Sequence, residues 1–314
     1  MRSLDQVLIV NPACPFSDIA HAMTQMGWQR DTLELAAPSL IANEPEVATW
    51  SWKGHKPFVI YSFNPVVKMR VLDVAGVPPG VREGIAQQLP LLDHLAIEKL
   101  FTSDDVRERL LGLWAVQETE RVDLLETARK LQDDPEPVLA EQARDVCAKL
   151  ERINQARKEV LVQMRMIEEA TPALIRRLND PSFIQTLKPS RSDLQHLFDA
   201  ELVDAAQLAI ERLYADPGLR ISPARDTQIK AVACPAGLLR WPNMLSDKFP
   251  GGYRDLAGWM VPSRIWVCWK QESAGTSVSY DGLVWLDNHW CWLPKIFRFL
   301  VPYLMNGSSG TLKH

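Results

Sequence analysis

The chain lacks the short motifs that most often carry chemistry. It has no G-x-S-x-G elbow, no G-x-x-x-x-G-K-[S/T] phosphate loop, no G-x-G-x-x-G turn and no H-E-x-x-H helix. Each of those would place a nucleophile, a phosphate cradle or a metal pair at a fixed spacing. No apolar run reaches the roughly 18 residues that a bilayer span requires. Met1–Asn11 holds Arg2, Asp5 and only the short apolar core Val7–Val10, unlike a secretory signal or a transit peptide. These absences predict a cytoplasmic protein with no membrane partner. Cysteine is sparse: Cys14, Cys147, Cys234, Cys268 and Cys291 are odd in number and form no C-x-x-C pair. That argues against a disulfide framework or a structural zinc site and predicts buried, thiol-form side chains. The six histidines, His21, His55, His94, His196, His289 and His314, are scattered. No close pair offers metal-ligand spacing, so no metal and no cofactor is expected.

What is present is an ordinary globular composition, with 46% apolar and 24% charged residues over 314 positions. A chain of that length can bury more than one core. Charge is unevenly spread. The formal net charge is −4, of which residues 1–90 hold −1, residues 91–214 hold −7 and residues 215–314 hold +4. No segment approaches the dense basic stripe of a nucleic-acid binder, whereas opposite-signed segments can attract each other or steer a protein partner.

The patterning predicts an α+β chain in three parts. Residues 1–90 read as a small α+β domain. After the apolar run Gln6–Val10, Ser17 or Asp18 begins a helix through Met26. Glu46–Lys53, Pro57–Phe63 and Lys68–Val74 then alternate like strands of an antiparallel meander, and Val77–Gly80 closes the domain.

Residues 91–214 read as helical. Thr102–Asp105 is an N-cap cluster, and from there a helix of about 45 Å is expected to run to Gln132, at about 1.5 Å per residue. The Asp133, Asp134, Pro135 turn follows. From Pro137 to about 170 the positions Leu139, Ala143, Val146, Leu150, Ile153, Arg157, Val160, Met164 and Ile167 alternate spacings of four and three. This is a heptad seam on a helix of about 50 Å. It predicts a long antiparallel helical hairpin, a seam buried against another helix of the same domain, or a homodimer interface. Residues 104–150 are also similar to HEAT-type repeats, with a helix to about Val116, a second from Glu118 to Gln132, then an Ala/Leu-rich helix. That resemblance implies a concave protein-binding surface. Thr171-Pro172 is expected to start a further helix, with shorter ones following and an amphipathic helix over 199–214.

Residues 215–305 read as an antiparallel β domain carrying seven of the eleven tryptophans. Arg264–Lys270 and Ser277–Leu286 are strand-like. Asp287-Asn288 is a two-residue hairpin loop, a place where both residues tolerate positive φ, and His289–Leu293 is the returning strand. A short closing element follows, and residues 306–314 are expected to fray.

Two sets of candidate residues come from this part. Asp281, Asp287 and His289 could form an acid/base pair or an Asp/His metal site for a hydrolase or nuclease. Trp266, Trp269, Trp285, Trp290, Trp292, Lys295 and Arg298, with Asp133 and Asp134 of the helical part, form a candidate partner-binding surface. Trp and Arg are the residues most enriched at interface hot spots. Trp266 and Trp269 are three apart and so fall on opposite faces of a strand. The favoured expectation is a non-catalytic protein-binding protein, such as a bacterial immunity protein or an effector adaptor or chaperone; the hydrolase is the alternative.

Overall fold

The computed structural model describes residues 6–34, 44–52, 55–74, 77, 79–221, 227–273 and 276–305. The tail 306–314, expected to fray, lies outside them. The chain is α+β, as its patterning indicates, with two antiparallel sheets and a long central helix. It divides into two compact units, Met1–Glu159 and Val160–His314. No helix among the described residues is long and apolar enough to cross a membrane.

The first unit is built on five strands, β1 (Val7–Val10), β2 (Gln29–Glu34), β3 (Val47–Trp52), β4 (His55–Asn64) and β5 (Met69–Asp73), in the order β1-β5-β4-β3-β2. Every pairing is antiparallel. The strand β2 was not apparent in the sequence, because Gln29, Arg30, Asp31 and Glu34 give it an edge-strand polarity instead of an apolar alternation. Both faces of the sheet are covered. Leu8, Val10, Trp50, Tyr61 and Leu72 join Ile19 and Met23 of α1 (Phe16–Gln25) and Ile85 of α2 (Pro79–Gln88). Val7, Ile9, Met69 and Val71 join Ile97 of α3 (His94–Leu100) and Leu110 and Leu113 of α4 (Val106–Glu118). A strand buried on both faces carries a continuous apolar run, which is why Val7–Val10 shows no alternation.

The expected 45 Å helix does not form. Helix α4 is capped by Asp105, whose carboxylate accepts from the Arg107 N–H, but it ends at Glu118. Glu120 then takes a left-handed conformation (φ 50°), and α5 (Leu125–Lys130) starts anew. The chain thus follows the shorter segmentation that the HEAT-like similarity suggested, not a two-helix hairpin. Arg157, the one polar member of the heptad seam, explains the break. Its guanidinium donates to the Glu120 carbonyl at 3.2 Å and to the Glu120 carboxylate at 3.1 Å, holding the turn in place.

Helix α6 (Pro137–Ile175) contains the whole seam. Leu139, Ala143, Val146 and Leu150 are buried with Leu124, Ala128 and Leu131 of the preceding helices. Met164 and Ile167 are buried in the core of the second unit. The seam expected as a homodimer interface is therefore occupied at both ends by the chain itself. Thr171-Pro172 starts no new helix: α6 passes through Pro172, and the Thr171 hydroxyl donates to the Ile167 carbonyl at 2.7 Å.

The second unit adds α7 (Pro181–Thr186), α8 (Arg191–Leu197) and α9 (Ala200–Ala215) before a four-stranded meander. Its strands are β6 (Gln228–Pro235), β7 (Ile265–Ser273), β8 (Thr276–Leu286) and β9 (His289–Trp292). Short helices α10 (Ala236–Leu239) and α11 (Gly252–Leu256) lie between β6 and β7, and α12 (Phe297–Met305) closes the described chain. Each edge strand, a usual liability, makes a hydrogen bond outward to a neighbouring element. The Ala233 N–H on β6 donates to Glu168 of α6 at 2.8 Å, and the Trp292 N–H on β9 donates to the Leu187 carbonyl at 2.9 Å.

Candidate functional site

Strand alternation decides which side chains of the β8–β9 hairpin meet. Residues i and i+2 share a face, so His289 and Cys291 point the same way, while Trp290 and Trp292 point the other. Cys291 pairs across the sheet with Val284, and Val284 with Trp266, so His289 and Cys291 lie on the sheet face where Trp266 meets Phe198. There α8 presents its first turn. Ser190 and Asp193 form a capping box, in which the Ser190 hydroxyl accepts from the Asp193 N–H and the Asp193 Oδ2 accepts from the Ser190 N–H at 2.8 Å. That leaves Asp193 Oδ1 free to face the strand, 3.2 Å from His289 Nε2. His289 Nδ1 is 2.6 Å from the Asn288 side-chain oxygen.

Among the described residues, one group of three His, Cys or acidic side chains converges. Asp193 Oδ1, the His289 ring and Cys291 Sγ all lie within 4.8 Å of one another. Burial works against the Asp193 carboxylate, but the hydrogen bonds from Ser190 and the charge of His289 outweigh it and hold its pKa below the usual value. Burial, reinforced by the Asp193 charge, pushes the Cys291 thiol up to about 12. Both His289 nitrogens are already engaged, so no base is free to ionise that thiol. The arrangement does not suit a thiolate nucleophile, which needs a lowered pKa and a partner base.

The residues singled out from the sequence go to different places. Asp281 is buried and structural: its Oδ1 accepts from the Tyr253 hydroxyl at 3.0 Å and from the Lys295 N–H at 2.8 Å. Asp287 is exposed in the hairpin turn and pairs with Arg264 at 2.9 Å. With His289 held by Asp193 and Asn288, each of the three has separate partners, and the acid/base set expected of a hydrolase is not assembled. Trp266, Trp269 and Trp292 are 0%, 1% and 2% exposed. They are core side chains and are not available to a partner in the folded unit. Trp266 and Trp269 lie three apart on β7 and so on opposite faces, yet both are buried in the same core cluster. Trp285 and Trp290 are half-buried and meet edge to face, with ring centres 5.4 Å apart. Lys295 and Arg298 are exposed. Asp133 is exposed, whereas Asp134 pairs with Arg109 at 3.3 Å and accepts from the Glu136 N–H, which makes it a turn residue.

No family model matches the chain, and no curated protein or solved structure matches it.

The sequence did not single out Asp193, and it placed Cys291 only among the buried thiols. The available signal was His-x-Cys on a strand beginning right after a two-residue turn, which places both side chains on one face. Asp193 had no such signal, since it lies 96 positions earlier in the chain and only tertiary packing brings it there.

A second buried polar group lies in the first unit. Arg70 donates to both carboxylate oxygens of Glu44, at 2.9 and 2.8 Å, and to the Pro12 carbonyl at 2.9 Å. The Tyr61 hydroxyl donates to the same carboxylate. A nearby open cleft is lined by Asn11, Cys14, Asp18 and Leu89. Burial, and after it the charge of Asp18, raises the Cys14 thiol, so this cleft presents no activated nucleophile either.

Proposed function

We propose that this protein acts by binding another protein and not by catalysis, with α6 as the contact element. The observation that supports this reading most directly is a patch on that helix. Leu161, Val162 and Met166 are 53%, 56% and 65% exposed. At 3.6 residues per turn they fall within an arc of about 140°. Grouped apolar side chains on a polar-rimmed helix face mark interaction surfaces more often than single exposed ones do. Lys158, Glu159, Arg165 and Glu169 are exposed around the patch and supply that rim. From residue 151 to residue 163 no position of α6 is fully buried, although Arg157 is held by Glu120 and Val160 packs against the core of the second unit. The net charge of −7 over residues 91–214 favours a basic partner by electrostatic steering. A role in neutralising or escorting such a partner, as an immunity protein or an effector adaptor does, fits a chain without catalytic motifs.

The test is affinity capture from lysate of the source cells with wild-type protein and with the variant L161Q/V162Q/M166Q. Wild type is expected to retain one partner in stoichiometric amount and the variant to lose it with no change in melting temperature. A wild type that retains none at any salt concentration, or a variant that retains the same partner, would count against the reading.

A further inference from the structure

We infer that Asp193, His289 and Cys291 form a site for a zinc-class divalent transition metal, with water completing the coordination. The first argument is geometric. Bonds of about 2.0–2.3 Å in a tetrahedral site set ligand atoms roughly 3.3–3.8 Å apart. Here Asp193 Oδ1 and His289 Nε2 are 3.2 Å apart, and all three donors lie within 4.8 Å of each other. One carboxylate oxygen, one imidazole nitrogen and one sulfur form a mixed donor set that suits zinc and its neighbours and not calcium or magnesium, which take oxygen.

The second argument is the placement of the two ring nitrogens of His289. The Asn288 side-chain oxygen faces His289 Nδ1 at 2.6 Å. His289 Nε2 and Asp193 Oδ1 face each other on the opposite side of the ring, 3.2 Å apart. An ion placed between Nε2, Oδ1 and Sγ would contact all three donors at once. An acceptor on the far nitrogen of a metal-bound histidine is also the usual outer-shell arrangement, because it fixes the tautomer and the ring plane. The support is rigid on both sides. Asp193 is fixed by its capping box with Ser190, and Cys291 is 1% exposed in the centre of the sheet edge. His289 and Asp193 are partly exposed, which leaves an approach for the ion and room for the water. As the metal–sulfur bond forms, the Cys291 S–H proton passes to solvent. The metal thereby replaces the proton that burial otherwise keeps on this thiol.

Cobalt(II) is the probe of choice, because thiolate coordination gives it a charge-transfer band in the near ultraviolet that oxygen or nitrogen ligands alone do not. Titration of the full chain at neutral pH is expected to reach one equivalent, with that band present and with zinc displacing it. Cys291→Ser should abolish the band, and Asp193→Asn and His289→Gln should each weaken cobalt binding by more than 100-fold. Asn288→Ala, which leaves all three ligands in place, should lower affinity by about 10–100-fold without changing the stoichiometry. Failure of wild type to take up cobalt, or a thiolate band that survives Cys291→Ser, would overturn the proposal. Circular dichroism of each apo variant shows that it is folded, and the titration of Asn288→Ala decides the matter should Cys291→Ser not fold.

Discussion

Glu44 and Arg70 form a two-pronged ion pair inside the first unit, with both residues at least 95% buried (4% and 5% exposed). The planar guanidinium matches the carboxylate bond for bond, and the remaining polar atoms are taken up by Tyr61 and Pro12. Such a pair does not gain its full Coulomb energy, because both charges leave water. Breaking it is nevertheless costly, since the surviving charge stays buried. Glu44→Ala is therefore expected to cost about 3–5 kcal/mol in urea unfolding. The triple replacement E44L/R70M/Y61F, which removes every member of the group together, should recover most of that loss. A cost below about 1 kcal/mol for Glu44→Ala would mean that the pair is solvated after all.

Asp281 is the second buried carboxylate, and its chemistry differs. Burial raises its pKa above 3.8; the Lys295 N–H, the Tyr253 hydroxyl and the charges of Lys295 and Arg298 offset this only in part. A raised folded-state value means that the unfolded chain loses its proton first. The contribution of this group to stability is thus fullest below the ordinary carboxylate range and declines as pH rises from there through the folded value. Both donors end on the same oxygen, Oδ1, which an asparagine retains. Asp281→Asn should accordingly gain stability relative to wild type as pH goes from acid to neutral, while Asp281→Ala should lose about 1–3 kcal/mol by stranding the Tyr253 hydroxyl and the Lys295 N–H. Melting curves between pH 3.5 and 7.5 check this, and a difference between Asn and wild type that stays flat or shrinks would contradict it.

Gly282 sits where β8 carries one residue too many. Val267 pairs with Leu283 and Trp269 with Tyr280, so Asp281 and Gly282 together lie opposite Cys268. This bulge turns Asp281 towards Tyr253. It requires a φ of +92° at Gly282, and an added Cβ would stand 2.2 Å from the Leu293 carbonyl oxygen. Gly282→Ala is expected to cost more than about 3 kcal/mol, as strain of 1–3 kcal/mol from the backbone adds to the clash. Equilibrium denaturation measures it; a loss under about 1 kcal/mol would show that Leu293 can move aside.

The heptad seam of α6 is uneven in depth, and substitutions along it should report that. Leu150 is 0% exposed, whereas Ile153, three positions on, is only half-buried. Leu150→Ala should cost about 2–5 kcal/mol and Ile153→Ala less than half as much. Equal costs at the two positions would indicate that something covers the middle of the helix as well as its ends.

Much of the architecture could be read from local pattern. The strands near residues 47–52, 58–64 and 69–73, the hairpin through Asp287-Asn288 and the long helix from Pro137 each carry a period or a turn signal within a few residues. Other elements do not. Strand β2 is polar, and β6 is made of small residues such as Ala231, Ala233 and Cys234 whose burial comes from the elements packed on it. At Glu120 no glycine announced the break, because the left-handed turn is held by Arg157, 37 residues away. The candidate site divides the same way, since His289 and Cys291 share a face by alternation alone, but Asp193 joins them only through the packing of α8.

Periodicity and turn chemistry, which act over one to seven residues, by themselves settled which segments are helix or strand and which side chains share a face. They also settled that α6 would have a buried stripe. What covers each face was decided only in three dimensions, because burial depends on surfaces distant in sequence. That is why tryptophans on opposite sides of β7 are both core, why the two ends of the seam are filled from within the chain, and why Asp281, Asp287 and His289, close neighbours in sequence, have separate partners.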